Sequence, residues 1–180
     1  STKGAIEHDP DGTHQVIMAK HLVAGEAYRY VADHELRIVP QGKVDRYLLR
    51  PGDLLFMSRG ANNYTVLLDT FPQPAIAPST FYVLRPRQGV DPTYLLWCLV
   101  QQPVLGHLNE IRTGASTPMI PRAEFSALPI PLPSLSTQRA IARLANLQAK
   151  EKELRRQLLD ETERLHRLLG QSIFDYLTTD

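Results

Sequence analysis

The chain has 180 residues, 43% of them hydrophobic and 22% charged, which is the composition of a globular protein with a buried core. No run of about 18 apolar residues occurs, and this excludes a membrane-spanning helix. The formal net charge is only +1, from 20 basic and 19 acidic residues, which disfavours a simple electrostatic nucleic-acid binder but leaves room for a local basic patch.

Strand-like segments dominate the first 133 residues. Short runs rich in β-branched and aromatic residues alternate with clusters of Gly, Pro, Asn and Asp, a pattern typical of strands and turns. The runs are HQVIMAKHLV (14–23), ELRIVP (35–40), DLLFMS (53–58), YTVLLD (64–69) and STFYVLRP (79–86). We therefore predict an α+β domain over residues 1–133, with an irregular curled β-sheet and short helices.

A helix is predicted to begin after Asp91. Asp91 is a suitable N-cap, Pro92 occupies the first helical position, and leucines recur at helical spacing through Leu99. Pro103 should end this helix or separate it from a second short one. The single cysteine, Cys98, lies within it and cannot form an internal disulfide, so we expect a buried structural thiol in a protein of the reducing cytoplasm.

A long helix is predicted over residues 134–180. From Ser136, the expected N-cap, onward there is no proline and one glycine, Gly170. Leucines follow a heptad seam that Glu151 and Glu161 interrupt, and roughly four heptads indicate a coiled coil on the order of 50–60 Å long. The seam leucines are Leu144, Leu147, Leu154, Leu158, Leu165 and Leu168. An apolar stripe of this length would face water in a monomer, so we expect a second copy of the chain, or another subunit, to cover it.

The segment PIPLP (129–133) joins the two regions. Proline fixes φ and removes the N–H donor, so this segment should be extended and should not pair as a central strand. We expect Ile130 and Leu132 to pack against the domain, which would make the segment a rigid joint ahead of the helix.

Four stretches stand in a distinctive order along the chain. They are YLLRPGDLLFMSRG (47–60), APSTFYVLRP (77–86), DPTYLLWCLVQQ (91–102) and RTGASTPMIPRAEFSALPIPLPSLSTQRAIARL (112–144). Together they resemble the specificity subunits of type I restriction-modification systems. Full subunits of that family carry two target-recognition domains and two long helices, whereas this sequence holds one of each and so resembles a half-subunit.

The resemblance implies a non-catalytic protein that recognises double-stranded DNA. It also implies docking to a methyltransferase subunit, which would carry the S-adenosylmethionine, and leaves a restriction subunit as a further partner. We expect the domain to read a half-site and the helix to act as spacer, so that a homodimer would read a bipartite site. No cofactor, metal or membrane partner is expected for this chain.

The residues themselves give little sign of catalysis. No glycine-rich loop links a strand to a helix, and no Asn-Pro-Pro-aromatic tetrapeptide of adenine methyltransferases occurs. Asp53 in PGDLLF invites a nuclease interpretation, but a turn-forming Gly-Asp whose carboxylate accepts from backbone N–H groups is favoured. HDPDGTH (8–14) matches no standard set of metal ligands, and its Asp-Pro-Asp-Gly indicates a turn.

Candidate DNA contacts lie on two loops. MSRGANNY (57–64) offers Arg59, Asn62 and Asn63, and Arg and Asn are the side chains that pair with guanine and adenine in the major groove. The alternative is that its Gly and Asn residues only form a hairpin turn. RTGASTP (112–118) offers hydroxyl and basic groups for phosphates, or is only a polar connection after a helix. The candidates of this second loop are Arg112, Thr113, Ser116 and Thr117.

Lys20 and Arg29 add basic character to the first 50 residues and are further candidate contacts, although scattered surface charge is the commoner meaning of such residues. Two rival functions stay open. A coiled-coil adaptor that binds only protein fits the near-zero net charge. A stand-alone nuclease would use Asp53, but the sequence lacks the cluster of carboxylates and lysine that such a site needs.

Overall fold

The computed structural model describes residues 6–178, and the ends of the two predicted domains, residues 1–5 and 179–180, lie outside this range. Within it the chain forms seven short strands, four helices and three 3₁₀ turns. The strands are β1 (His14–Val16), β2 (Ala27–Arg29), β3 (Arg37–Ile38), β4 (Leu54–Met57), β5 (Thr65–Thr70), β6 (Ala75–Ile76) and β7 (Phe81–Leu84). The helices are α1 (Pro92–Leu99), α2 (Gln102–Glu110), α3 (Arg122–Ser126) and α4 (Leu135–Thr178), and the 3₁₀ turns are Ala19–His21, Ala32–His34 and Asp45–Tyr47.

The predicted α+β class is confirmed, and each of the five predicted strand segments contains a strand. The strands form two small mixed sheets in place of one curled sheet. Their orders are β3-β1-β6 and β2-β5-β4-β7, and each sheet contains one parallel and otherwise antiparallel pairings. The sequence did not predict β2 or β6, because each is only two or three residues long and lies outside the longer apolar runs that contain β1 and β3.

The larger sheet is buried on both faces. In β4, Leu55 points into one apolar cluster with Val66 and Phe81, while Leu54 and Phe56 point into another that includes residues of the three short helices. Successive strand residues face opposite sides, so a strand covered on both sides must be apolar throughout. This explains the unbroken LLFM of β4.

The α1 prediction is confirmed in detail. The Asp91 side chain accepts a hydrogen bond from the Tyr94 N–H at 3.0 Å, and Pro92 begins the helix. The chain breaks after Leu99, and Pro103 lies in the first turn of α2. Cys98 is buried as expected, and burial raises the pKa of its thiol, which makes it a poor nucleophile.

The long helix α4 begins at Leu135, two residues before the start that the expected Ser136 cap implies. Its cap is therefore Ser134 and not Ser136: the Ser134 hydroxyl accepts from the Thr137 N–H at 3.3 Å. The helix then continues for 44 residues. Among the helices of residues 6–178, none is both long and apolar enough to cross a membrane.

The chain divides into two compact units, residues 1–142 and 143–180. The first two turns of α4 thus belong to the first unit, and Ala142 is buried there. The second unit is the remainder of α4, where the leucines of the predicted seam are each more than half exposed. Within the second unit the seam therefore forms an exposed apolar stripe along the helix.

The proline segment is held by hydrogen bonds to its carbonyl groups. Ile130 packs against the core beside α1 and α2, as predicted, but Leu132 is 61% exposed, so its predicted packing is wrong. The contact that replaces it is polar: the hydroxyl of buried Tyr94 donates to the Pro131 carbonyl at 2.7 Å. Burial raises the pKa of Tyr94 to about 12, which keeps this donor protonated.

Gln138 ties the start of α4 to the rest of the first unit. Its side chain is fully buried; Oε1 accepts from the Asp91 N–H at 2.9 Å. Nε2 donates to the carbonyl groups of Gly89 at 3.0 Å and Pro133 at 2.9 Å. One amide thus joins α4, the cap of α1 and the end of the proline segment.

Replacing Gln138 with alanine should lower the free energy of unfolding by about 2–4 kcal/mol, because three buried backbone groups would lose their partner. The measurement is urea unfolding followed by the fluorescence of Trp97, the single tryptophan, which lies on α1. Gln148→Ala, at an exposed position of the same helix, is the control and should change stability by less than about 0.5 kcal/mol. Equal effects of the two substitutions would contradict this role of Gln138.

Candidate nucleic-acid interface

Two segments that the sequence marked separately are hydrogen-bonded to each other. Loop A (residues 58–64) connects β4 to β5, and loop B (residues 112–120) connects α2 to α3. The Ile120 N–H donates to the Ser58 carbonyl at 2.8 Å, and the Gly60 N–H donates to the Pro118 carbonyl at 2.8 Å. Loop A is thus a hairpin connection, as its Gly and Asn residues indicated, and it also forms one continuous surface with loop B.

Ile120 anchors loop B in the core. Its side chain is fully buried in the cluster that contains Phe56 and Phe125, whose rings lie 4.3 Å apart between centroids. The Tyr82 hydroxyl donates to the Ile120 carbonyl at 2.7 Å. Both backbone groups of Ile120 are therefore satisfied inside the protein, one by loop A and one by β7.

Loop A is anchored by Ser58, which is 1% exposed. Its backbone N–H and its hydroxyl both donate to the Thr80 carbonyl, at 2.9 and 2.8 Å. Loop B turns tightly at Gly114, whose φ of +89° suits glycine, and a Cβ there would lie 2.8 Å from the Thr117 carbonyl oxygen. Thr113 and Met119 then close loop B by exchanging backbone hydrogen bonds of 2.9 and 2.8 Å.

Arg112 and Asn63 are the candidates that contact each other. Arg112 Nε donates to Asn63 Oδ1 at 3.1 Å, and Arg112 Nη2 donates to Asn109 Oδ1 at 2.8 Å. The amide of Asn63 donates in turn to the Met57 carbonyl at 2.9 Å. Asn63 thus has both ends of its amide engaged within the protein, which leaves it little capacity to read a base directly.

Arg59 and Asn62 are exposed and point from loop A with no hydrogen bond from their side chains to residues 6–178. Ser116 and Thr117 are exposed at the tip of loop B, and Thr113 lies at its start. All the candidates from the two predicted loops therefore share one surface, and those with solvent-facing side chains are able to contact a ligand.

The other basic candidates lie elsewhere. Lys20 is exposed on the 3₁₀ turn Ala19–His21, and Arg29 lies on β2, where it pairs with Asp69 of β5 at 2.6 Å. Neither side chain makes a hydrogen bond or ion pair with loop A or loop B in the part of the chain that is described. Their contribution to DNA binding stays a prediction.

Asp53 forms the predicted turn. Its buried carboxylate accepts from the Arg50 N–H at 2.8 Å, and Arg85 donates to both carboxylate oxygens at 2.8 and 2.6 Å. These bonds raise the pKa of Arg85 despite its partial burial. A carboxylate engaged in this way stabilises the turn before β4 and is poorly placed to hold a catalytic metal.

The HDPDGTH segment also forms the predicted turn. Asp9 Oδ1 accepts from the Asp11 N–H, and the Asp9 carbonyl accepts from the Gly12 N–H, each at 2.9 Å. Gly12 is required there, because a Cβ would lie 2.6 Å from the backbone of Arg37. The segment thus packs closely on β3.

Sequence reasoning missed Asn109 at this surface. Asn109 lies in the last turn of α2 and Arg112 just beyond the end of that helix, so their nearness in sequence was the usable signal. Ser58 and Tyr82 were also missed. Their roles depend on backbone contacts between distant segments, and no local pattern encodes those.

Known proteins resemble this chain in sequence and in fold. The family described as the type I restriction modification DNA specificity domain matches residues 3–164. Six chains of solved structures match, among them one from a type I R-M system studied for its complex assembly and conformational transition. That chain is similar with a TM-score of 0.67 and 21% identity over 95% of this chain; this level of identity speaks to the fold alone. The present chain spans 42% of that chain's length. No curated protein matches the sequence.

Replacing Tyr82 with phenylalanine tests the anchor of the interface. Removing the hydroxyl leaves the buried Ile120 carbonyl without its donor, which should cost about 1–3 kcal/mol of unfolding free energy. Hydrogen exchange of the Ile120 and Met119 amides should accelerate more than that of β1. Tyr47→Phe, at an exposed tyrosine, is the matched control. If Tyr82→Phe left both stability and exchange unchanged, the hydroxyl would not hold loop B.

Proposed function

The chain belongs to the family of type I restriction-modification DNA specificity domains, which are non-catalytic and carry no cofactor, and we propose that it reads a short half-site in double-stranded DNA through loops A and B. Membership confirms the family resemblance seen in the sequence. The observation that carries the proposal is the backbone pairing of loops A and B. It brings Arg59 and Asn62, the candidates for base readout, together with Arg112 and the hydroxyl groups of loop B, the candidates for phosphate contact.

The charge of this surface supports DNA as the ligand. Loops A and B contain two arginines and no Asp or Glu, although the whole chain has a net charge of only +1. A local positive patch next to hydroxyl and amide groups combines phosphate attraction with base recognition. The near-neutral chain as a whole would bind DNA modestly alone, so a basic partner subunit would strengthen the complex.

We assign α4 to dimerisation and spacing. Its exposed leucine seam is sustained over several heptads, and a second copy of the same seam is a partner with matching chemistry. A two-fold dimer would present two identical readers and so recognise an inverted bipartite site. In this proposal Gln138 holds the beginning of each spacer helix to its reader.

The methyltransferase subunit is the proposed partner that supplies chemistry. It would bind S-adenosylmethionine and take the target base out of the DNA stack, since this family carries no cofactor. A restriction subunit is a further proposed member of the complex. A protein working on cellular DNA would act in the cytoplasm, which is the location we propose.

A protein-binding adaptor is the second candidate function, and the uncovered leucine seam together with the low net charge favours it. The two functions differ in the ligand of the first unit. An adaptor would not select a DNA sequence, whether or not a methyltransferase is bound.

Replacing Arg59 and Asn62 together with alanine should reduce selective binding at least about tenfold, because base contacts are each worth about 1–3 kcal/mol. Fluorescence anisotropy at fixed salt would measure affinity for duplexes obtained by selection from random sequence, alone and with the methyltransferase subunit. The control is Gln41→Ala with Lys43→Ala, which also removes one positive charge and one carboxamide, but from an exposed segment outside both loops.

That control should bind like the unaltered chain. If the unaltered chain bound no duplex, alone or with methyltransferase, the DNA proposal would fail and the adaptor would be favoured. Equal losses for the two double variants would show that charge, and not loop A, determines binding.

Light scattering at micromolar concentration should give twice the chain mass of 20.3 kDa. Leu158→Glu with Leu165→Glu should give the monomer mass, because two charges would be buried unpaired in the seam. The control, Asn146→Glu with His166→Glu, adds comparable charge outside the seam and should stay dimeric. A monomer before any substitution would refute the dimer; a dimer that survives the leucine substitutions would place the interface elsewhere.

A further inference from the structure

We propose that Arg112 reads a guanine of the half-site, and that Asn63 and Asn109 are positioning residues that hold its guanidinium in the reading orientation. The proposal rests on the DNA-reading function above and deepens it, because it names a base, assigns different roles to residues of one surface and adds Asn109. It follows from which edge of the guanidinium is already occupied.

The guanidinium group presents two edges that can each donate a pair of parallel hydrogen bonds. Nε and one hydrogen of Nη2 form the first edge, and in Arg112 both atoms are occupied, by Asn63 at 3.1 Å and Asn109 at 2.8 Å. Nη1 and the second hydrogen of Nη2 form the other edge. Nη1 makes no hydrogen bond to residues 6–178, and Nη2, which bonds only Asn109, keeps one hydrogen for a ligand. A two-pronged donor is therefore held in place with its outer edge available.

The two holding residues are themselves fixed. Asn63 is tied to the Met57 carbonyl at the end of β4, and Asn109 lies on α2 next to Leu108, which is 2% exposed in the core. Arg112 is therefore held from a strand end and from a helix at once. Orientation of this kind reduces the side-chain entropy lost on binding.

The neutral character of both partners distinguishes Arg112 from the other paired arginines. Arg29 and Arg85 pair with carboxylates, which balance their charge, whereas the two partners of Arg112 are amides. Arg112 therefore keeps its positive charge for a ligand. The shape of the available edge matches the O6 and N7 acceptors of guanine, the commonest specific contact of arginine in the major groove.

Arg112 also lies in a cleft rather than at a loop tip. The cleft has a volume of about 270 Å³, and its polar lining is Asn62, Asn63, Asn109 and Arg112. Asn62, exposed at its rim, is placed to contact a neighbouring base. A phosphate contact needs only a positive charge, whereas an oriented guanidinium in an amide-lined cleft is suited to the edge of a base. The base that fits its two donors is guanine.

The test uses the full chain and a duplex from the selection experiment, with 7-deazaguanine replacing each guanine in turn. This base keeps Watson-Crick pairing but lacks the N7 acceptor. At one position this replacement should weaken DNA binding by the unaltered chain at least about fivefold. The Arg112→Lys variant keeps the positive charge but loses the two-pronged guanidinium. Its affinity should change by less than about twofold when the same guanine is replaced by 7-deazaguanine. Its affinity for unrelated duplex should stay close to that of the unaltered chain.

Asn109→Ala should also reduce the sensitivity to 7-deazaguanine at that position, while Asn146→Ala, an exposed helical asparagine of α4, should not. Asn63→Ala should act in the same direction, and Asn109→Ala covers the case in which Asn63→Ala disturbs loop A. A merely structural role would weaken binding to all duplexes alike, and this outcome would overturn the positioning roles.

If no modified guanine is coupled to Arg112 while the chain binds DNA selectively, this inference fails and the proposed function stands. A phosphate contact would give this result, with Arg112→Lys neutral and Arg112→Ala reducing the salt dependence of binding to every duplex. A chain that binds no DNA overturns both proposals together.

Discussion

The candidate interface depends on Ile120, because this one residue holds loop B to two other parts of the domain. Its side chain fills the core beside Phe125, its N–H reaches Ser58 of loop A, and its carbonyl accepts from Tyr82 of β7. A buried backbone group without a partner is costly, so these bonds leave loop B little freedom to move away from loop A. The polar residues of both loops are therefore held in a fixed arrangement.

Basic side chains inside and outside the two loops differ in whether acidic residues of the protein balance their charge. Outside the two loops, basic side chains are often balanced within the protein: Arg29 by Asp69, Arg85 by Asp53, and Arg155 by Glu151 along α4. The arginines of loops A and B have no acidic neighbour within those loops. A chain with a net charge near zero can therefore offer a positive surface where the interface lies, without a strongly basic composition.

The start of α4 shows how polar bonds can fix a joint where apolar packing is sparse. Prolines make the preceding segment stiff, yet Leu132 remains exposed, and Gln138 and Tyr94 make the connections instead. A buried amide with all its bonds made is more direction-specific than an apolar contact, since its geometry tolerates little displacement. We regard the Gln138 bonds as the structural basis of the proposed spacer function.

Local patterns predicted the elements well and the contacts between them poorly. The strand segments, the Asp91 cap and the Pro103 break depend on residues close in sequence, and those predictions were confirmed. The leucine seam lies on a continuous helix, and its pairing stays a prediction. The cap at Ser134 was missed because Ser136 offers the same chemistry two residues later. The joining of loops A and B was not predictable, since Ser58 and Ile120 are 62 residues apart in numbering and meet through backbone atoms that every residue has.

The most direct test of the central claim is amide hydrogen exchange of the full chain with and without a selected duplex. If loops A and B together read DNA, amides of residues 58–64 and 112–118 should exchange more slowly in the complex, while the 3₁₀ turn Asp45–Tyr47 should not change. Protection confined to segments outside the two loops, with both loops exchanging as in the free protein, would contradict the account.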